Sequence, residues 1–548
     1  MDPDGFAGNC ITQRSFLRQG TQFGGGSAVD DQDHAGAPER TLDLAVGRLD
    51  RAGSPAYAII DIGSNSVRLV VYDAIGRAPF PRFNEKAFCQ LGDGFARTGA
   101  LTPDGIARTL SALRRFRAIA EAMGVERIDT LATEAVRQAS NGPDFVAEIA
   151  RQTGLSARIL SGEEEAYFGA LGVVSGLYRP AGLTGDMGGG SLEMADVLDD
   201  SVGSNRISLP LGALPVRRLL EAGVAGAKAR VDTLLRDGIP EGIRSPRFYA
   251  VGGGWRALAR VHLAAGNAPV RVVHGYELAA ADARAFAKSI LKLSPSKVAA
   301  LPGLPRRRAG TMPAAALVLD RVVKRLRPER VVFSMLGVRE GWLYSQLSEA
   351  ERSLDPLVEA AQSFALPYAR VPAFAAALMQ WTSGLFPDET AADRRLRVAA
   401  CALSDFAWRD EAGLRAAESF RRLLQFPLIG LDHGERVFLA TAIHARYGGA
   451  SDDPILSAAV KLLPGAAVRR AQLLGRALLL GYRLAGGVPE ILTAADLRID
   501  DKKVRLTVQP TARVPESEVV ADRLKLLADA AGVRRIEVVE ANGSNGGG

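Results

Sequence analysis

The amino-acid sequence predicts an α/β protein of two similar lobes, followed by a mainly helical C-terminal domain with a small sheet. In the first part of the chain, short apolar strands are mixed with helices, which favours α/β layers. An Asp-x-Gly-x-x-Ser turn between two strands occurs twice there, beginning at Asp61 and at Asp186. From about Glu349 onward, amphipathic helices dominate. The repeated turn indicates an internal duplication, so we expect two lobes that face one another.

The domain limits follow from these changes along the chain, which at 548 residues is too long for one hydrophobic core. The N-terminal segment is rich in Gly, Asp, Gln and Arg and lacks periodicity, which is typical of disorder. We predict a disordered extension at 1–54, a first lobe at 55–181, a second lobe at 182–348, the helical domain at 349–542 and a tail at 543–548.

Apolar runs predict the individual elements. For the first lobe we predict strands at Tyr57–Asp61, Val67–Asp73, Ile128–Thr133 and Arg158–Leu160, and helices at Thr102–Met123, Pro143–Thr153 and Glu163–Leu177. For the second lobe we predict strands at Leu183–Asp186 and Leu192–Leu198 and strand–turn–helix units at Phe248–Trp255 and Arg330–Glu340. For the C-terminal domain we predict helices at Asp355–Phe364, Ala391–Trp408, Leu414–Leu424, Glu435–Tyr447, Val468–Arg483 and Glu516–Ala531, a hairpin of Arg498–Asp500 with Val504–Val508, and a strand at Arg535–Val539.

Composition and charge exclude several classes of protein. The content of 47% hydrophobic and 24% charged residues is that of an ordinary globular protein. No run of about 18 uncharged apolar residues predicts a membrane span, and no basic segment followed by an apolar core predicts a secretory signal. Cys10, Cys89 and Cys401 are scattered, which argues against disulfides and zinc clusters. We therefore expect a cytoplasmic protein, whose net charge of +7 favours a polyanionic partner.

The first repeated turn, Asp61-Ile-Gly-Ser-Asn-Ser66, has the composition of an anion site. Gly63 and the small polar residues Ser64, Asn65 and Ser66 let backbone N–H groups and hydroxyls converge on an anion. Asp61 would repel a phosphate unless it held a divalent cation. An ordinary glycine-containing hairpin accounts for the same residues, so the motif alone leaves both interpretations open.

The second turn repeats this design with Gly188, Gly189 and Gly190 before Ser191. Three consecutive glycines cost backbone entropy, which indicates a positive φ or the close approach of a ligand. Glu193 lies two residues further, on the next strand, and could point back to the same cleft. A flexible hairpin is the alternative for one turn, but two turns of one layout are much harder to explain in that way.

Further candidates are less specific. Gly252 and Gly253 follow an apolar strand and open a helix, so they either present amides to an anion or nucleotide or simply form a tight turn. Glu165 lies in the first helical turn after Ser161, where it either suits the helix dipole or faces the cleft as a general base. Three arginines near the turns either clamp phosphate oxygens or lie on solvated faces: Arg68, Arg137 and Arg339.

Taken together and in order, the motifs resemble the exopolyphosphatase/guanosine pentaphosphate phosphohydrolase family over about residues 56–345. The segments that carry the resemblance are Asp61–Arg68, Ala132–Arg137, Ser161–Ala166, Asp186–Glu193, Arg308–Pro313 and Leu336–Gly341. The resemblance implies an actin-like ATPase architecture, in which two ribonuclease-H-like lobes enclose a cleft. It also implies that the turns 61–66 and 186–191 are two phosphate loops.

The resemblance further implies a reaction and its residues. Glu165 corresponds to the base that activates water, and Asp186 and Glu193 correspond to acids that hold Mg²⁺ and position water. With Asp61, these acids form the predicted site for Mg²⁺ or another divalent cation. The expected reaction removes terminal orthophosphate from inorganic polyphosphate by in-line attack of water. Neither a nucleic-acid nor a membrane partner is predicted.

The C-terminal domain departs from the pattern of the longer family members. Ser404-Asp405 stands where a His-Asp pair of metal-dependent HD phosphohydrolases is expected, so we predict no HD metal chemistry there. Gripping the substrate chain or forming a homodimer remains as its expected role. Three alternatives stay open for the cleft: guanosine penta- or tetraphosphate as ligand, a non-hydrolytic sensor of such a nucleotide, and a kinase, for which no acceptor pocket is evident.

Overall fold

The computed structural model describes residues 56–92, 95–500, 503–510 and 517–540. The predicted extension at 1–54 and the predicted tail at 543–548 lie outside the described residues. The strands of two separate α/β sheets span 56–159 and 181–333, and a third, smaller sheet lies in the C-terminal part. The predicted domain limits themselves stay predictions.

The first lobe is a five-stranded sheet with helices packed on it. Its central strand is almost wholly apolar and buried, because strands on both sides and helices on both faces cover it. The strand order is β3-β2-β1-β4-β5. The elements are β1 (Ala56–Ile62), β2 (Val67–Tyr72), β3 (Pro81–Ala87), α1 (Phe95–Thr98), α2 (Pro103–Ala122), β4 (Val125–Ala132), α3 (Glu134–Gln138), α4 (Gly142–Thr153), β5 (Ala157–Ile159) and α5 (Gly162–Gly176).

The second lobe is a six-stranded sheet in the order β10-β11-β9-β6-β7-β8. Its elements are β6 (Ala181–Met187), β7 (Leu192–Leu198), β8 (Ser201–Leu209), α6 (Ala213–Glu221), α7 (Val224–Gly238), β9 (Arg247–Val251), α8 (Gly253–Ala265), β10 (Tyr276–Ala279), α9 (Ala280–Ile290), α10 (Pro295–Ala299), α11 (Met312–Leu326), β11 (Arg330–Phe333) and α12 (Val338–Ser345).

The two sheets share one topology. In each, an antiparallel hairpin and a third antiparallel strand continue into two parallel strands, so that β8-β7-β6-β9-β11 repeats β3-β2-β1-β4-β5. The second lobe adds β10 as an antiparallel edge strand. This repeated arrangement is the predicted pair of ribonuclease-H-like lobes, and the predicted actin-like fold class is confirmed.

Two helices join the lobes and cross at glycines. α5 leads from the first sheet into the second, and α12 follows the last strand of the second sheet. A Cβ at Gly172 would overlap the carbonyl oxygen of Gly337, and a Cβ at Gly341 would overlap that of Phe168. Glycine is therefore needed at this crossing for the two backbones to touch, which brings both lobes close to one cleft.

The C-terminal domain is helical with a three-stranded sheet in the order β12-β13-β14. Its elements are α13 (Glu349–Arg352), α14 (Pro356–Ala365), α15 (Phe374–Trp381), α16 (Ala391–Leu403), α17 (Arg415–Gln425), α18 (His433–Arg446), α19 (Gly465–Ala485), α20 (Pro489–Thr493), β12 (Ala495–Ile499), β13 (Lys503–Val508), α21 (Glu518–Ala531) and β14 (Arg535–Glu540). Asp405 pairs with Arg370 and Arg446 at 2.6 and 3.4 Å. The absence of HD metal chemistry stays a prediction. No helix in the described part of the chain combines the length and apolar character that a bilayer crossing requires.

Candidate active site

The two repeated turns have the same backbone geometry. The turn 63–66 connects β1 to β2, and the turn 188–191 connects β6 to β7. Each is closed by a hydrogen bond from the amide of its first glycine to the carbonyl oxygen of its last serine: Gly63 to Ser66 at 3.1 Å and Gly188 to Ser191 at 3.0 Å. The duplication seen in the sequence is thus a duplication of local structure.

The structure brings the two turns into contact. A Cβ added to Gly189 would stand 3.0 Å from the Cβ of Ser64, a separation tighter than nearly all real Cβ contacts, so that Ser64 would have to move by a few tenths of an ångström. The first turn is held from behind, because the carbonyl oxygens of Ser64 and Asn65 accept the amides of Gly92 at 2.7 Å and Gln90 at 3.1 Å. Glycine in the second turn is therefore what allows the lobes to approach at this point.

A carboxylate that the sequence analysis did not single out lies between the turns. Glu134 follows β4, whose last residue pairs in parallel register with the last residue of β1. Its carboxylate accepts hydrogen bonds from the Ser64 side chain and the Gly190 backbone, and a Cβ at Gly190 would overlap it. Burial raises the pKa of Glu134, and the Arg137 charge partly opposes the shift. The available signal was an acid directly after a strand that neighbours β1.

Asp61, at the end of β1, is matched by positive charge. Arg68 lies directly opposite it on β2, and the Arg339 guanidinium donates to its carboxylate at 2.8 Å. Arg339 belongs to α12, so this ion pair joins the first sheet to the helix that leaves the second lobe. Arg68 itself donates to the side chain of Asn84 at 2.8 Å. Two of the three predicted phosphate clamps, Arg68 and Arg339, are thus engaged with protein groups, Arg339 with an acid of the site.

Asp186 and Glu193 lie opposite one another on β6 and β7, so their side chains share one face of the sheet. Burial raises the pKa of Asp186 to about 6. Burial and the neighbouring Glu165 carboxylate raise the pKa of Glu193 well above its ordinary value. Glu193 also accepts a hydrogen bond from the Ser208 hydroxyl at 3.0 Å. This side of the cleft therefore holds excess negative charge.

Glu165 is buried in the first turn of α5, below the Ser161 cap. It forms an ion pair with Arg137, which also donates a hydrogen bond to the carbonyl oxygen of Leu160, directly after β5. Burial raises the pKa of Glu165 to about 7, since the lowering by Arg137 is outweighed, and Asp186 adds to the rise. Arg137 thus orients this carboxylate, and whether it also contacts phosphate stays a prediction. A carboxyl group that titrates near neutrality suits a general base.

The third glycine turn supports the second. Gly252 has a φ of 105°, and a Cβ there would overlap the carbonyl oxygen of Met187 at the end of β6. Gly253 lies against the Arg308 guanidinium in the same way. These contacts give both glycines a packing role: the tight strand-to-helix turn predicted as an alternative places α8 and Arg308 beside the turn 188–191. Whether Gly252 and Gly253 also contact phosphate stays a prediction.

Two known families together match most of the length of the sequence. The Ppx/GppA phosphatase family matches residues 70–350, and a family described as exopolyphosphatase, C-terminal, matches residues 357–539. The chain belongs to the Ppx/GppA phosphatase family. The family predicted from the motifs is therefore confirmed, and so is the prediction of a hydrolytic enzyme.

Individual relatives agree with this family. Exopolyphosphatase 1 of Mycobacterium tuberculosis is 31% identical over 309 residues, which cover 54% of this chain and 89% of that protein. Retrograde regulation protein 2 of Saccharomyces cerevisiae is 30% identical over 342 residues, covering 56% of this chain and 58% of that protein. Of solved structures, the Ppx/GppA family member of Aquifex aeolicus is 24% identical with a TM-score of 0.47, covering 53% of this chain and 97% of that one.

The chemistry of a Ppx/GppA site raises the question of a divalent cation. Among the described residues, no group of three or more His, Cys, Asp or Glu side chains forms a ready metal site. Asp61, Asp186 and Glu165 nevertheless lie close enough to interact. The charge of Asp61 raises the pKa values of both Asp186 and Glu165, and the charge of Asp186 raises that of Glu165. Mg²⁺ typically binds one or two carboxylates together with substrate phosphate oxygens. The acidic donors fit that mode, in which the substrate completes the site.

An arginine-rich cavity of about 440 Å³ adjoins the Ppx/GppA site. Its wall includes Arg256 of α8, which donates to the carbonyl oxygens of Gly252 at 3.1 Å and Met335 at 2.8 Å. Burial and the neighbouring Arg339 charge lower the pKa of Arg256 to about 10. Six arginines line the cavity: Arg68, Arg77, Arg256, Arg260, Arg271 and Arg339. Of these arginines, Arg256 and Arg339 also lower the pKa of Asp186, which links the wall to the acids of the second lobe.

Proposed function

We propose that this member of the Ppx/GppA family is an exopolyphosphatase, which releases terminal orthophosphate from inorganic polyphosphate by attack of water. The observation that carries the proposal is the buried Glu165 carboxyl group, which has a pKa of about 7. It belongs to the cleft in which two glycine turns from opposite lobes touch. Binding alone does not need a carboxylate held in this state. The relatives named exopolyphosphatase support the same reaction.

The residues divide the work as follows. The Ser64 hydroxyl and the amides of the two turns bind the oxygens of the terminal phosphate. Glu165 accepts a proton from the attacking water, and Arg137 fixes the orientation of its carboxylate. Asp186, with Asp61 and Glu193, would hold a divalent cation, which supplies charge neutralisation at the phosphate oxygens when it is bound. The Arg339–Asp61 pair keeps the lobes in register around the substrate.

The arginine-rich cavity supports a substrate with several phosphates. It begins at Arg68 and Arg339, which flank Asp61, and continues along Arg256. One guanidinium group can donate hydrogen bonds to two phosphate oxygens, so a row of arginines favours a chain of phosphates over a single phosphate. A nucleotide with a terminal phosphoanhydride offers the same group to the turns, and guanosine pentaphosphate is therefore the alternative substrate.

A phosphate-release assay on polyphosphates of graded length tests this function. We expect Mg²⁺-dependent release of orthophosphate, with kcat/KM rising until the chain fills the arginine-rich cavity. Guanosine pentaphosphate serves as the competing substrate in the same assay. Faster release from the nucleotide than from every polyphosphate would reassign the substrate.

A non-hydrolytic sensor is the second candidate, because one relative at 30% identity is named as a regulatory protein. The two candidates differ in a simple way. A sensor binds tripolyphosphate or the nucleotide with measurable heat but releases no orthophosphate with any divalent cation. We also expect, as proposals from the same family, a cytoplasmic location and a homodimer. Fractionation of cells tests the location, and sedimentation of the purified full chain tests the homodimer.

A further inference from the structure

Glu134 places a carboxylate on the donors that the proposed function assigns to phosphate. The Ser64 side chain donates to it from the first turn, and the Gly190 backbone donates to it from the second. The carboxylate lies directly against the Cα of Gly190, in the space that a Cβ would fill. An internal anion therefore bridges the two phosphate loops.

The fold, more than local helix stability, explains this placement. Glu134 begins α3, a helix of only five residues, and its neighbour Thr133 makes no capping hydrogen bond there. An acid that served only the helix would remain in solvent, where charge at a helix terminus is worth little. Instead the carboxylate is largely buried, and burial raises its pKa. That cost is offset by hydrogen bonds to the two turns, which are the donors a phosphate needs.

We propose that Glu134 competes with orthophosphate for the two turns and thereby sets the selectivity of the site for ligands with several phosphates. This inference rests on the proposed function. A tethered carboxylate competes at an effective concentration on the order of millimolar, without a loss of translational freedom. Orthophosphate makes contacts only at the turns, so the carboxylate displaces it readily. A longer chain also contacts the arginines of the cavity, which Glu134 does not occupy.

Two consequences follow for turnover. The substrate enters by moving the Glu134 carboxylate away from Ser64 and Gly190, so part of its binding free energy is used for that displacement. After cleavage, the carboxylate returns to the same donors and lowers the affinity of the site for the orthophosphate product. Glu134 is thus a specificity-determining residue, and it needs no part in the chemical step itself.

Titration calorimetry on the full chain tests the proposal, with orthophosphate and tripolyphosphate as probes. Glu134→Gln removes the charge and keeps the side-chain size, whereas Glu134→Ala vacates the space between the turns. We expect both variants to bind orthophosphate about tenfold more tightly than the wild type, which corresponds to about 1.4 kcal/mol. Orthophosphate should also inhibit their turnover more strongly, and the preference for tripolyphosphate over orthophosphate should shrink in Glu134→Ala.

Glu163→Gln is the matched control, because it removes the same charge from an exposed side chain in the first turn of α5. Its orthophosphate affinity should equal that of the wild type. Unchanged orthophosphate affinity in both Glu134 variants, or no orthophosphate binding in any variant, overturns the proposal. The calorimetric result is independent of turnover. If the Glu134 variants bind orthophosphate more tightly but the protein hydrolyses no polyphosphate, the proposal that Glu134 competes with orthophosphate stands. Only the exopolyphosphatase assignment is then rejected.

Discussion

The two lobes carry the same hairpin, but the residue that pairs with the aspartate across the two strands differs between them. In the first lobe Asp61 faces Arg68 across the β1–β2 pair, and in the second lobe Asp186 faces Glu193 across the β6–β7 pair. The first hairpin therefore balances its acid with a cation, while the second places two acids side by side. One duplicated frame thus serves two electrostatic purposes.

This difference gives the two lobes different electrostatic properties at the site. Asp61 is further paired with Arg339 at 2.8 Å, so the first lobe offers a compensated surface. No ion pair to Asp186 is seen among the described residues, and burial raises its pKa to about 6. Glu165 lies between the lobes and is influenced by the charge of both acids. The uncompensated charge, and hence the capacity to take up a proton or a cation, is concentrated on the side of the second lobe.

The largest expected effect tests whether that concentration of acid serves catalysis. Glu165→Gln keeps the shape of the side chain but removes the proton acceptor, so we expect kcat to fall by about 10²–10⁴-fold while tripolyphosphate binding stays within about threefold. Phosphate release under saturating polyphosphate and calorimetric binding measure the two quantities. Glu163→Gln, in the same helical turn, is the control and should keep wild-type turnover. Unchanged phosphate release in Glu165→Gln would reject this carboxylate as the base.

The pH dependence follows from the same group. A general base works in its ionised form, and the pKa of Glu165 is about 7. We therefore expect kcat/KM of the wild type to rise tenfold per pH unit well below pH 7 and to level off above it. The profile of Glu165→Gln should lack this limb. A flat wild-type profile between pH 5 and pH 8 would contradict the assignment.

The contrast between the lobes also shows what the sequence could and could not predict. The hairpins, both turns and the acids Asp61, Asp186, Glu193 and Glu165 lie in local patterns, so they were found. The edge strands β3 and β8 were missed, because their largely exposed side chains lack an apolar alternation. Glu134 was missed because its role arises from the register of β4 beside β1.

The partners of the arginines were equally out of reach. Arg137, Arg68 and Arg339 were predicted as phosphate clamps from their nearness to the turns. Side-chain direction decides between an anion ligand and an ion pair, and the sequence does not contain it. The ion pairs of Arg137 with Glu165 and of Arg339 with Asp61 join segments 28 and 278 residues apart. Tertiary structure alone brings such groups together.

A smaller effect of opposite sign in the two lobes would sharpen the comparison. Asp61→Asn removes the hydrogen-bonded one of the two acids beside the buried Arg339 and leaves it only Glu340 at 3.7 Å, so we expect a loss of about 1–3 kcal/mol in the free energy of unfolding. Asp186→Asn removes a group whose pKa in the folded state, about 6, lies above its ordinary 3.8. The wild type therefore loses stability as the pH rises through this range. At pH 8 we expect Asp186→Asn to be more stable than the wild type by about 1–2 kcal/mol, discounted for partial exposure.

Chemical denaturation at pH 4 and pH 8 in metal-free buffer measures both changes. The advantage of Asp186→Asn should largely disappear at pH 4, where the folded wild-type carboxyl group is protonated and the unfolded one, with its ordinary pKa of 3.8, is close to half protonated. The paired hairpin provides the internal control, since the two substitutions are chemically identical and occupy equivalent positions. Destabilisation of equal size in both variants at pH 8 would show that the hairpins are electrostatically alike and break the comparison.

The smallest effects should be equal in the two lobes, because they concern the backbone that the lobes share. A Cβ at Gly63 would meet only the Ser66 carbonyl oxygen at 3.4 Å, and a Cβ at Gly188 only that of Ser191 at 3.5 Å. Alanine at either site should therefore change the free energy of unfolding by less than about 1 kcal/mol.

Because the protein leaves room for each Cβ, packing does not account for these glycines. The proposed approach of phosphate to both turns predicts that KM for tripolyphosphate rises several-fold in both Gly63→Ala and Gly188→Ala. Gly252→Ala is the contrasting control: its φ of 105° and its contact with Met187 make it structural, so alanine there should lower stability more than either turn substitution. A large loss of stability in one turn variant and not in the other would mean that the equal geometry of the hairpins conceals unequal strain.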